Sequence, residues 1–165
     1  MTVVQNLKRA EVFLGLDDIA LGKIAALPSC REELYSAGQV IFSAGDEARF
    51  LYVLSEGQVK LVASGSLEFG QATKPTVDRI TTGGLLGWSA VVEPHFYTMS
   101  AVCTEPSRIV AISGAELLVL FERNPHLGYQ VLQSLSRIIG TRLRDVEQFL
   151  VKGKRWPFLG EVKSQ

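Results

Sequence analysis

The chain has 165 residues, 47% of them hydrophobic, and its 17 Lys+Arg balance its 17 Asp+Glu. That length suits one domain, and the neutral total argues against a general nucleic-acid binder or a basic membrane-surface protein. The zero hides a split: from Arg137 onward seven basic residues stand against three acidic ones, so this stretch is +4 and the residues before it are −4.

Taken in chain order, residues 1–30 read as an N-terminal helical segment. Lys8-Arg9 is followed by Glu11, Asp17 and Asp18, so no signal-peptide core develops. Asp17 is a helix N-cap, Ile19, Ile24 and Leu27 recur at helical spacing, and Pro28 stops the run. The two cysteines, Cys30 and Cys103, sit beside apolar residues and read as small core residues in a reducing compartment, which makes the cytoplasm the expected location. No apolar run approaches the ~20 residues of a membrane span.

From Arg31 to Ser113 the pattern changes to short β-rich runs: Glu33–Tyr35, Val40–Phe42, Phe50–Leu54, Val59–Ala63, Val77–Thr81, Thr98–Val102 and Arg108–Ile112. Gly38, Gly45-Asp46, Glu56-Gly57 and Gly83-Gly84 divide them, and Ser64–Thr76 is the longest loop. Strands at this spacing predict an all-β sandwich or barrel.

Helical periodicity returns after Ser113, an N-cap, with Leu117, Leu118 and Phe121; Pro125 then opens a long second helix. Residues 114–150 are thus a hinge and a C-terminal helix, and 151–165 form a basic tail. In the long helix Leu132, Leu135, Ile139, Val146 and Phe149 fall at coiled-coil spacing, with Arg142 interrupting. Beside them run Leu127, Val131, Ile138 and Leu143. Two apolar flanks need two surfaces, and the expected pair is the β body and a second copy of the chain. The alternative is a terminal helix lying on its own domain.

Little catalytic chemistry is available. His95 and His126 are the only histidines, neither cysteine has a histidine nearby in sequence, and no phosphate-loop or dinucleotide fingerprint occurs. No catalytic residue, metal ligand or cofactor is expected. One stretch resembles a site: Gly83-Gly84-Leu85-Leu86-Gly87-Trp88-Ser89-Ala90-Val91-Val92, then Glu93-Pro94-His95-Phe96-Tyr97-Thr98-Met99-Ser100-Ala101. Its glycines lead into an apolar segment, Trp88–Val92, able to form a helical turn whose free amides cradle an anion, with Ser89 and Thr98 as hydroxyl donors. The plain alternative is a Gly-rich turn between two strands.

Over roughly residues 10–150 the chain resembles the cyclic-nucleotide-binding domain of catabolite-activator-like regulators. The resemblance rests on Tyr35-Ser36-Ala37-Gly38-Gln39-Val40-Ile41-Phe42-Ser43-Ala44-Gly45-Asp46 and Leu51-Tyr52-Val53-Leu54-Ser55-Glu56-Gly57-Gln58-Val59-Lys60-Leu61. It is supported by Phe13-Leu14-Gly15-Leu16 and by Ile112-Ser113 to Asn124-Pro125. It implies a mainly β fold with flanking helices: an eight-stranded jelly roll with a short N-terminal helix, a hinge helix and a long C-terminal helix that forms the dimer in the activator branch. It also implies that Gly84 to Ala101 is the phosphate-binding cassette.

Members that bind cyclic AMP or cyclic GMP carry Gly-Glu at the start of this cassette, the Glu holding the ribose. Near its end they carry an Arg that neutralises the phosphate. Here Gly87 is followed by Trp88, and the Arg position falls on Tyr97, with Thr98 after it. Losing the ribose carboxylate forfeits roughly 1.5–3 kcal/mol. Leaving the phosphate without its counter-ion costs about 3–5 kcal/mol more, together some 3–6 orders of magnitude in affinity. Arg108, Arg79 or an arginine of the long helix are the remaining candidates for the counter-charge.

The expected function is therefore a non-enzymatic ligand-sensing or interaction module, not tight for either nucleotide. Its ligand is an unidentified small molecule held by Gly87, Trp88, Ser89, Ala90, Tyr97, Thr98 and Met99, with Trp88 and Tyr97 offering aromatic faces and donors. The first alternative is a constitutive dimeric scaffold whose pocket those aromatics plug; residual cyclic-nucleotide binding and a cupin-type enzyme follow. A protein partner fits either of the first two. DNA binding by this chain alone is not expected, because the residues after Leu150 are too few for a helix-turn-helix.

Overall fold

The computed structural model describes residues 1–63 and 76–152. Its strands are β1 (Arg31–Tyr35), β2 (Val40–Phe42), β3 (Phe50–Glu56), β4 (Val59–Ala63), β5 (Thr76–Ile80), β6 (Leu85–Leu86), β7 (Met99–Cys103) and β8 (Ser107–Ser113). They form two antiparallel four-stranded sheets, ordered β1-β8-β3-β6 and β2-β7-β4-β5. Each sheet takes alternate strands from both halves of the chain, the topology of a jelly roll. Of the predicted loop Ser64–Thr76, residues 64–75 lie outside the described residues, and Thr76 opens β5.

The core lies between the sheets and beneath the helices. Five consecutive residues of β3, Leu51 to Ser55, are buried, so this central strand is covered on both faces rather than alternating in and out. The helices are α1 (Val3–Lys8), α2 (Asp18–Ala25), α3 (Gly114–Arg123) and α4 (Pro125–Lys152). Their starts follow capping chemistry. Thr2 and Gln5 make a reciprocal box on α1, Asp17 accepts the Ala20 amide at 2.8 Å, and Ser113 accepts the Glu116 amide at 3.3 Å.

Leu117 and Phe121 of α3 and Leu127, Val131 and Leu135 of α4 bury against the body. The last three are four residues apart, a single helical stripe, and Ile138 packs at its edge. Gly128 fits against Phe121 where α3 hands over to α4; an added Cβ there would meet the Phe121 Cβ at 2.7 Å. The long helix therefore divides its apolar residues differently from the expected row. Leu135, counted from sequence with the dimer face, is 2% exposed and belongs to the chain's own core. Ile139, also counted from sequence with the dimer face, is partly buried and packs against the core beside Ile138. Leu132 and Val146 lie off that stripe, exposed at 43% and 37%, and Leu143 at 55% joins them on the outer side. The Phe149 side chain and the tail from 153 lie outside the described residues.

Cys103 is 1% exposed in the core, and Cys30 is half-buried with its thiol pushed up to about 11 by burial and then by Glu116. Among the described residues no helix is long and apolar enough to cross a membrane.

Candidate functional site

The cassette begins where β6 pairs with β3, Leu86 opposite Tyr52 and Leu85 opposite Val53. Gly87 follows in the left-handed region, φ 70°. A Cβ there would come 2.9 Å from the Phe50 carbonyl and 3.1 Å from the Tyr97 ring, so glycine serves both the turn and the close approach. Trp88–Ala90 form a single 3₁₀ turn. The amides of Ala90, Val91 and Val92 donate to the carbonyls of Gly87, Trp88 and Trp88, so much of the expected anion cradle is taken up by the turn itself.

Ala90 lies apart from the site. It is buried against Gly114, the first residue of α3, where any added Cβ would overlap the Ala90 carbonyl. The cassette turn and the hinge helix therefore meet backbone to backbone.

Beyond the turn, the His95 Nδ1 sits 2.8 Å from the Ser89 carbonyl, and Phe96 bridges Glu47. Tyr97 is then fixed at every polar point. Its amide donates to the Asp46 carbonyl at 3.0 Å, its carbonyl accepts from Gly45 at 2.7 Å, and its hydroxyl donates to the Phe50 carbonyl at 2.7 Å while accepting the Phe50 amide at 3.2 Å. β6 covers β3 only at Tyr52 and Val53, so the Tyr97 hydroxyl serves as the partner that the Phe50 backbone lacks on that side. The ring stacks on Phe42 at 3.9 Å and 17°, and Phe42 stacks in turn on Tyr52 at 5.7 Å. Tyr97 is 5% exposed, a core residue. Burial raises its phenol, opposed by its hydrogen bonds.

What remains of the pocket is a cavity of about 30 Å³. That holds a water or two, against the ~300–1,000 Å³ of small-molecule sites. Of the residues assigned from sequence, Gly87, Trp88, Ser89, Tyr97, Thr98 and Met99 line it and Ala90 does not. Phe42 and Leu61, which sequence reasoning did not place there, complete the lining with Arg142, which sequence offered only as an unspecified arginine of the long helix.

Arg142 arrives from α4. Its guanidinium carbon lies 4.5 Å over the Trp88 ring, one Nη donates to the Leu85 carbonyl at 3.1 Å, and Asp78 and Glu11 carboxylates stand at 3.6 and 3.8 Å. Burial pushes both charges toward neutrality, Arg142 down and Asp78 up, while each partly holds the other ionised. Of the candidates for the missing counter-charge, Arg108, Arg79 and the arginines of the long helix, Arg142 alone lines the cavity; Arg108 pairs with Glu32 at 3.0 Å and Arg79 reaches Gln58. Arg142 is nonetheless already matched by two carboxylates. The cluster carries a net negative charge, which disfavours a phosphate beside it.

The family model for the cyclic nucleotide-binding domain matches residues 32–124, more than half of the chain. The chain belongs to the cyclic nucleotide-binding domain family. A Geobacter metallireducens protein assigned as cyclic nucleotide-binding is similar in structure, with TM-score 0.72 and 31% identity over 87% of this chain and 99% of that one. The Thermus thermophilus catabolite activator protein superposes with TM-score 0.69 at 26% identity, covering 86% of this chain and 62% of that one. In sequence, a cyclic AMP receptor protein of the same organism is 27% identical over 74% of this chain and 53% of its own length. The chain thus spans about half the length of that curated relative.

The family assignment and the jelly roll agree with the expectation from sequence. Within the family's cassette, Trp88 and Tyr97 stand at the positions the resemblance assigns to the ribose and phosphate contacts.

Proposed function

We propose that this chain is a non-enzymatic regulatory module that keeps the cyclic nucleotide-binding fold but holds its cassette closed with its own side chains, and that it binds neither cyclic AMP nor cyclic GMP tightly. The observation that carries this reading is Tyr97: at the place of the phosphate's counter-ion stands a ring 5% exposed, stacked on Phe42 and bonded to Phe50. A nucleotide would have to displace that ring and would then find, among the described cavity-lining residues, only Arg142 as a cation, already matched by Asp78 and Glu11.

The reading includes a homodimer through the outer side of α4, a protein partner that reads the helical surface, and a cytoplasmic location. Isothermal titration tests its core. Wild-type protein is expected to give no heat with either nucleotide at micromolar concentrations, and a dissociation constant near or below about 1 μM overturns the reading. The Trp88→Glu, Tyr97→Arg double variant restores both charged contacts and is expected to gain cyclic AMP binding.

One observation favours a second reading, sensing of a different small molecule. The Ser89 and Thr98 side chains border the cavity without a hydrogen bond to any described residue. A reproducible rise in thermal midpoint with one member of a metabolite panel would select it.

A further inference from the structure

The inward stripe of α4, Leu127, Val131, Leu135 and Ile138, points four residues on to Arg142. The spacing that buries the leucines therefore delivers the guanidinium onto the cassette. Beyond it the picture changes: the described side chains from Leu143 to Val151 are all exposed. Among the described side chains of α4, Arg142 is thus the last that the body holds.

Its contacts are spread over the molecule. Glu11 belongs to the N-terminal segment, Asp78 to β5, Leu85 to β6 and Trp88 to the cassette turn. Glu11 adds a second tie by accepting the Leu85 amide at 3.0 Å. A guanidinium suits this place because it can sit over the indole face and still donate from its edge to the Leu85 carbonyl, which a lysine ammonium does less well.

We propose that Arg142 is a latch that pins the distal part of α4 to the closed cassette, so that the chain's own Trp88–Arg142 contact sets the pose of this helix. The proposal rests on the reading that no cyclic nucleotide holds the cassette. Opening the latch frees residues 139–152 while the seam made by Leu127, Val131 and Leu135 stays packed. Trp88 is then a positioning residue for α4 rather than a ligand contact.

Hydrogen exchange read by mass spectrometry on the full chain, at one fixed protein concentration, tests the latch. Arg142→Met keeps the length and apolar stem and removes the charge and donors. It is expected to speed amide exchange in 139–152 by about tenfold, with 125–137 and the sheets unchanged. Trp88→Leu, which leaves Arg142 in place, is expected to speed the same segment less, and Arg142→Lys to fall between. Arg144→Ala, whose guanidinium bonds, among the described residues, only the Gly140 carbonyl one turn back, serves as the control and is expected to change nothing outside its own turn.

Unchanged exchange in 139–152 for both Arg142→Met and Trp88→Leu overturns the latch. So does acceleration spread evenly over the whole chain in both, which marks a general loss of stability. Cyclic AMP added to the wild type is expected to leave every segment as it was. Protection of 139–152 by the nucleotide would overturn the functional reading above, while the variants would still decide the latch by themselves.

Discussion

At the residue scale, the proposed function turns on Trp88 and Tyr97, two aromatic rings at positions where the resemblance implies charges. Tyr97 is the more consequential, because it does not merely lack a charge but occupies space and satisfies backbone. Its hydroxyl serves both polar groups of Phe50, and removing it leaves an amide and a carbonyl unpaired in a buried place. Tyr97→Phe, which keeps the stacked ring, is therefore expected to lower the unfolding free energy by about 1–3 kcal/mol, measured by urea denaturation. An unchanged midpoint would show that the hydroxyl is not the partner described here. Much of this site was legible in sequence because one continuous segment, Gly87 to Met99, supplies most of the cavity wall. Phe42 and Arg142 were not, since they come from β2 and α4 and only folding brings them together. Arg142 was visible as a break in an apolar row and as one of several long-helix arginines; its register with Leu127, Val131, Leu135 and Ile138 is the signal that singles it out.

At the element scale, the strands followed their glycine punctuation, with ends shifted by a residue or two, as hydrogen-bond ladders rather than side-chain types decide where pairing stops. Two elements escaped. β6 has two residues and α1 has six, too short for either periodicity to register. The contact of the cassette turn with the hinge helix was also hidden, because its two residues, Ala90 and Gly114, carry almost no side chain. Gly114→Val forces the N-terminus of α3 off the Ala90 carbonyl. It is expected to destabilise the fold by about 1–3 kcal/mol and to speed exchange in both the cassette turn and the first turn of α3. Coincident changes in those two segments, against a quiet α2, are the readout; a change confined to α3 would refute the coupling.

At the scale of the whole molecule, α4 has two sides with different tasks. The inner side completes the core, and Leu135→Ala there is expected to cost about 2–5 kcal/mol without altering assembly. The outer side carries Tyr129, Leu132, Leu143 and Val146 at 64%, 43%, 55% and 37% exposure. They fall as two i, i+3 pairs, Tyr129 with Leu132 and Leu143 with Val146, on one flank of the helix, a placement compatible with a two-helix seam. If that seam joins two copies, Leu132→Glu with Leu143→Glu is expected to convert a dimer to a monomer in sedimentation velocity, with the fold intact by circular dichroism. A wild-type chain that sediments as a monomer at tens of micromolar would remove the dimer from the proposal. The sequence row mixed the two sides because coiled-coil spacing and core-facing helical spacing coincide over two turns and separate only against a real surface.

The amino-acid sequence alone determined the jelly-roll family, through its glycine turns and strand motifs, and it put Trp88 and Tyr97 at the two positions where the resemblance implies charged nucleotide contacts. Such features are local: a turn needs its glycine and a phosphate needs its cation, whatever lies elsewhere. The tertiary structure decided what became of the vacated space. Whether a pocket without its charges stays open is a question of packing, and packing depends on rings and helices that meet across the fold. Here Phe42 closes on Tyr97 from one side and Arg142 closes on Trp88 from the other, leaving a cavity of about 30 Å³.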